Sequence, residues 1–194
     1  MELKEHILTE ADTLFSNHGI KSVTMDDIAK HLGMSKKTIY LHFQDKNDLI
    51  NILIKNRLEN QECLIGDTVQ NSENAIDEVF KCVTEVQAML SNIHPTFMYD
   101  LQKYYTEAWK MFRKFRNESL YKNIYDNLVR GVSEGYYRKD MNLEVLTNLR
   151  LETIDLVFNQ AIYSIKDYSI SLIMKEISEH FLYGISTLEG HQLI

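Results

Sequence analysis

The chain has 194 residues, 44% of them hydrophobic, with one Pro and seven Gly, and a net charge of −7 from 21 Lys and Arg against 28 Asp and Glu. That length suits one compact unit or two small domains, and few helix breakers beside abundant Leu, Ile, Lys and Glu predict an all-helical protein. No run of about 18 apolar residues occurs, so no transmembrane helix is indicated. The acidic, amphipathic start is unlike a signal peptide, so a cytoplasmic location is expected, with Cys63 and Cys82 as reduced thiols.

Leu3, Ile7, Ala11, Leu14 and Phe15 form a helical stripe that Gly19 ends. Thr24 then reads as an N-cap, with Asp27 three residues on to close a capping box. Ile28, Ala29 and Leu32 give one apolar face. Gly33 suits the left-handed residue of a sharp turn, and Ser35 caps a further short helix. Ile39 and Phe43 of that helix point inward, and Lys36, Lys37, Leu41 and His42 point outward. Two short helices joined at a Gly turn, the second with a basic outer face, describe a DNA-binding helix-turn-helix. The negative net charge does not oppose this reading. Lys30, Lys36, Lys37 and Lys46 are grouped, and phosphate attraction depends on local charge placement. Asp45 and Asp48 open a fourth helix, expected to run to about Glu62, with a polar loop over 66–74.

A helix over 72–93 follows, broken by His94-Pro95. Residues 96–115 are crowded with Met and aromatics. This segment is the candidate lining of an apolar effector pocket, through Phe97, Met98, Tyr104, Tyr105, Trp109 and Phe112, with Phe158 from later in the chain. Asp100, Glu107, Glu152, Asp155 and Gln160 are candidate polar contacts. An aromatic stripe at this spacing also suits plain core. A long helix then passes through Leu120, Ile124 and Leu128 to Gly131 and Gly135.

The last two helices are expected over 143–164 and 169–188. Both carry more apolar surface than a helix with one wet face needs. Burial against a second copy of the chain follows, through Leu151, Ile154, Phe158, Ile173, Ile177, Phe181 and Ile185. The His and Cys residues show no metal-type spacing, and no H-E-x-x-H, G-x-S-x-G, P-loop or G-x-G-x-x-G occurs. Neither cofactor nor metal nor enzymatic activity is expected.

Thr24, Ile28, Ala29, Gly33, Met34, Ser35, Thr38, Ile39, Tyr40, His42, Phe43, Lys46 and Leu49 together resemble the N-terminal domain of TetR-family transcriptional regulators, the TetR/AcrR-like group. Ala11, Leu14, Phe15 and Gly19 extend the likeness upstream. The segment from Gly131 to Asp140 resembles the family's G-x-x-x-G-x-(F/Y)-R-x-D turn. One departure is Lys37, where many members carry Gly. The resemblance implies a DNA-binding domain over 1–46 with three helices, followed by a larger helical effector-binding and dimerisation domain over 47–194. It implies that Lys36, Lys37, Thr38 and Leu41 face base edges, while Thr24, Ser35, Tyr40, His42 and Lys46 hold phosphates. It further implies a homodimer on a palindromic operator, acting as a repressor that a small apolar or amphiphilic effector releases, with no membrane partner. The alternatives are a helical adaptor that binds proteins rather than DNA, and a small all-helical enzyme.

Overall fold

The computed structural model describes residues 2–158, 162 and 168–194. Eleven α-helices and one π-helical turn lie among them. Helices α1 (Leu3–His18), α2 (Met25–His31) and α3 (Lys36–Tyr40) form the head. They are followed by α4 (Lys46–Asn71), α5 (Ala75–Leu90), α6 (Phe97–Tyr104) and α7 (Thr106–Phe115). A π turn over Arg116–Leu120 leads into α8 (Tyr121–Glu134). Then come α9 (Leu143–Leu156), α10 (Ile170–Ile185) and α11 (Leu188–His191).

Two compact units result, one of residues 1–60 and 92–113, the other of residues 61–91 and 114–194. The first is centred on Ile7, Ala11, Phe15, Ile28, Ile39, Phe43, Leu49 and Ile50, with Phe97, Leu101 and Ala108 of α6 and α7 in the same core. Backbone and side chains bind these parts together. The His94 N–H donates to the Ser16 carbonyl at 2.6 Å. Arg57 donates to Asp12 and Ser16 and lies 4.8 Å from the Phe97 ring centre. The compact units thus divide the chain differently from a boundary at 46/47, since 47–60 and 92–113 pack with the head.

The second unit is built on Ala75, Ile76, Leu128, Tyr137, Leu182 and Ile185. Gly131 is required here by space rather than by backbone angle. A Cβ on it would stand 2.1 Å from a ring carbon of the fully buried Tyr137. The Tyr137 hydroxyl reaches the Ala75 carbonyl and Asn127 Oδ1, both at 3.2 Å, which satisfies a polar group that would otherwise be costly to bury. Arg116 of the π turn is buried as well, paired with Glu152 at 2.8 Å and Asp155 at 2.7 Å.

Three expectations are corrected. Helix α4 does not stop near Glu62 but continues through Gly66 to Asn71. One exposed Gly costs a helix about 1 kcal/mol, and burial of Ile65 and Thr68 on the same stretch offsets it. Helix α5 begins later than residue 72, because Asn74 caps it by accepting from the Ile76 and Asp77 N–H groups. Helix α9 ends at Leu156; residues 159–161 and 163–167 of the expected 143–164 helix lie outside the described residues.

Candidate nucleic-acid interface

Caps fix the geometry of the head. Thr24 Oγ1 accepts from the Asp27 N–H at 3.2 Å and donates to Asp27 Oδ2 at 2.6 Å, while the Thr24 N–H donates to the same oxygen at 2.9 Å. The hydrogen bonds from Thr24 hold the Asp27 carboxyl below the ordinary carboxylate range. The Leu32 N–H closes α2 on the Ile28 carbonyl, and Gly33 takes φ 64, the left-handed turn that a side chain would strain. Ser35 Oγ then accepts from the Thr38 N–H at 3.1 Å and starts α3.

With its start fixed, α3 buries Ile39 against the head core, and Phe43 is buried just beyond its end. Lys36, Lys37, Tyr40 and Leu41 are exposed, and Thr38 and His42 are half-buried. Leu41 is 75% exposed, which gains nothing in the isolated chain and suits an apolar contact such as a thymine methyl. Two exposed lysines on a capped helix, with an exposed Leu at its C-cap, make a face suited to a major groove.

Ser35 and Thr38 are engaged with each other in the α3 cap, and Lys36, Thr24 and Lys46 are also engaged within the protein. Lys36 Nζ pairs with Asp26 Oδ1 at 3.1 Å, and Lys30 reaches Asp26 Oδ2 at 3.8 Å. Thr24 is committed to its capping box. Lys46, expected on a phosphate, turns inward: its Nζ donates to the Ile20 carbonyl at 2.6 Å and lies 5.5 and 5.8 Å from the ring centres of Phe15 and Tyr105. Burial lowers its pKa. The start of α4 also carries two carboxylates, with Asp45 accepting the Asp48 N–H and Asp48 accepting the Gln44 N–H. They occupy the positive end of the helix dipole. The sequence pattern gave no sign of Asp26, whose role depends on α2 and α3 meeting in space.

The candidate pocket residues are mostly in the head unit's own packing. Phe97 is buried beneath Arg57, and Met98, Tyr105 and Trp109 pack on the same core. Trp109 stacks with Phe112 at 5.2 Å, and Tyr104 is exposed, accepting from Lys21 Nζ. Phe158 belongs to the second unit. Among the polar candidates, Asp100 accepts the Lys21 N–H at 2.9 Å and Glu107 pairs with Lys110. Glu152 and Asp155 hold Arg116, and Gln160 lies outside the described residues.

The residues expected between two copies differ in exposure. Leu151, Ile173 and Ile185 are buried within the single chain, while Ile154, Phe158, Ile177 and Phe181 are half-buried. Ile173, Met174, Leu182 and Ile185 of α10 therefore belong to this chain's own core. Val145 and Leu149 of α9, and Leu172 and Tyr183 of α10, are the large apolar side chains these two helices leave in water. Both faces of α10 are apolar, and periodicity alone does not say which turns inward.

Among the described residues no helix is long and apolar enough to cross a membrane. No group of three or more His, Cys, Asp or Glu residues among them could hold a metal ion.

The comparisons with known proteins agree with this geometry. Residues 7–52 match the model of bacterial regulatory proteins of the tetR family. The chain is 22% identical to an uncharacterised HTH-type transcriptional regulator, YvaF of Bacillus subtilis, over 96% of this chain and 97% of that one. It is also 22% identical to the HTH-type transcriptional repressor KstR2 of Mycobacterium tuberculosis, over 72% of each chain. A solved TetR-family regulator from Agrobacterium tumefaciens superposes with a TM-score of 0.78 at 17% identity, covering 95% of this chain and 97% of that one. The capped head, the exposed basic helix and the match over residues 7–52 show an N-terminal DNA-binding domain of the tetR type, in a chain similar along its length to HTH-type transcriptional regulators.

Proposed function

We propose that the chain is a dimeric repressor that leaves a palindromic operator when a small molecule binds its second unit. The observation that carries the DNA reading is the exposed face of α3, with Lys36, Lys37, Tyr40 and Leu41 on one capped helix. In this reading Lys37 and Leu41 meet base edges, and Lys36 joins them by leaving Asp26. Ser35, Thr38, Tyr40 and His42 face the backbone. The apolar residues left in water on α9 and α10 support a second copy as partner, and two heads would then read half-sites about one helical turn apart. The sense of regulation follows the relative named a repressor. Effector release would be a population shift between DNA-binding and non-binding forms, carried along α4, whose residues belong to the head unit up to 60 and to the second unit from 61.

The test is to sequence genomic fragments retained by the purified chain, then footprint the enriched site. Two protected half-sites with dyad symmetry are expected, and Lys37→Ala should lose the preference for that site over scrambled duplex. Retention of random DNA alone, or of none, would overturn the reading and favour the adaptor alternative.

A further inference from the structure

Arg150, on α9, is 6% exposed and sits in the core of the second unit. Its Nη2 donates to Ser178 Oγ of α10 at 2.8 Å, and its guanidinium lies 5.0 Å from the Phe181 ring centre. Its Nη1 is buried and finds no acceptor among the described residues. The neighbouring polar groups are the Cys82 thiol and the Tyr137 hydroxyl, both neutral, and burial draws the guanidinium's own pKa down to about 10. The other arginines of this unit differ: Arg116 is matched by Glu152 and Asp155, Arg130 by Glu78 and Glu134, and Arg138 by Asp140. A buried cation without a counter-charge is expensive, and replacing it with an apolar residue of similar volume commonly stabilises a fold.

We propose that Arg150 is the anchor for the carboxylate of an anionic effector, an organic monocarboxylic acid with an apolar body. This rests on the effector-release reading above and names the ligand class. The guanidinium edge of Nη1 and Nη2 fits a planar carboxylate. A single guanidinium without a carboxylate partner among the described residues suits a single negative charge; Arg130, the other guanidinium near Tyr137, is already committed to two carboxylates. The apolar surface beside the cation suits an apolar body, since the Phe181 ring lies against the guanidinium. A carboxylate there would give Arg150 the counter-ion it lacks.

The test uses the full chain and three acids, acetate, benzoate and decanoate, against benzyl alcohol, decanol and decylamine, with sodium chloride matching ionic strength. At least one acid should raise the melting temperature saturably, with its alcohol or amine counterpart weaker by about 10- to 100-fold, the factor for a lost charge-assisted hydrogen bond. Arg150→Gln should erase that preference, and Arg150→Met without ligand should melt no lower than the parent. Equal response to acids and alcohols, preference surviving in Arg150→Gln, no response to any acid, or a clear destabilisation in Arg150→Met would each overturn the proposal. Operator binding is read separately. Release by an alcohol or amine that Arg150→Gln does not alter removes the carboxylate anchor and leaves effector release standing. Acid preference in a chain that binds no operator removes the release reading and leaves the anchor.

Discussion

The Lys46 ammonium donates to the Ile20 carbonyl at 2.6 Å, so a cation at the edge of the reading head is tied to the head's own core. Lys46→Met should therefore lower the melting temperature and leave the salt dependence of DNA binding unchanged. Lys37→Ala should do the reverse, losing about 1–3 kcal/mol on the operator if it reads a base, or about one unit of salt slope if it reaches a phosphate. A salt titration of both variants on operator and scrambled duplex checks this; a flatter slope for Lys46→Met would show that its ammonium reaches DNA after all.

Thr24 and Asp27 make acid stability of the head a local property. The pKa of Asp27 is depressed, first by the Thr24 hydroxyl and then by its N–H, with Lys30 and Lys46 as nearby cations. A depressed carboxyl contributes stability that is present above its ordinary value of 3.8 and is lost as pH falls through the lower folded value. Thr24→Val should cost about 1 kcal/mol at neutral pH, the usual loss for an N-cap. Asp27→Asn should flatten the melting curve's dependence on pH below 4. Equal acid sensitivity in Asp27→Asn and the parent would contradict this.

Gly131 and Gly135 are both glycines near the end of α8, and they should fail for different reasons. At Gly131 a Cβ meets the Tyr137 ring, so Gly131→Ala should cost about 1–3 kcal/mol or more by overpacking. At Gly135, φ is 83 with open space around it, so Gly135→Ala should cost about 1 kcal/mol through the left-handed backbone alone. Urea denaturation of the two variants gives the order; a milder loss at Gly131 would refute the close approach.

Burial pushes the Cys82 thiol up to about 12, with Glu78 and Glu85 adding to the effect, while Cys63 is exposed. A thiol-specific reagent at pH 8 should modify Cys63 in the folded chain and reach Cys82 only on unfolding. Because the folded pKa is raised, unfolding releases that proton once pH exceeds about 9, and stability falls as pH climbs past that point. Two fast-reacting thiols in the native chain would be inconsistent with this burial.

The proposed dimer should respond to the outward face of its last helices and not to the inward one. Leu149→Glu with Leu172→Glu should give a folded monomer in sedimentation. Ile173→Glu, at a position buried within the chain, should instead unfold the second unit. A parent chain that sediments as a monomer at micromolar concentration would remove the dimer altogether.

Much of the head was legible because short-range chemistry specifies it. The Thr24–Asp27 box, the Gly33 turn and the Ser35 cap each act over three or four residues, and all three form as read. The inward face of α10 was not legible, since Ile173 and Leu172 are equally apolar in a string of letters and only the packing of α5 and α9 separates them. Arg150 was missed for a related reason. It occupies the buried stripe with Thr147 and Leu151, and an arginine standing between Leu149 and Leu151 gives no sign in the sequence that it turns inward. Lys46 matched a family position, and the match carried no information about the rotamer that turns its ammonium toward Ile20.

Asp26 stands within reach of both Lys36 and Lys30, which bears on how such a protein would find its target. An acid anchored beside the reading helix competes with every phosphate for the same lysine. Exposed ion pairs are weak, about 0–1 kcal/mol each, so the competition would do little at a site where, as proposed, Lys36 gained a base acceptor. On random duplex, where phosphate attraction is nearly all there is, the same small term is a sizeable fraction of the whole. Residence on wrong sequences shortens, fewer molecules are held by the rest of the genome, and the scan proceeds by frequent dissociation and return.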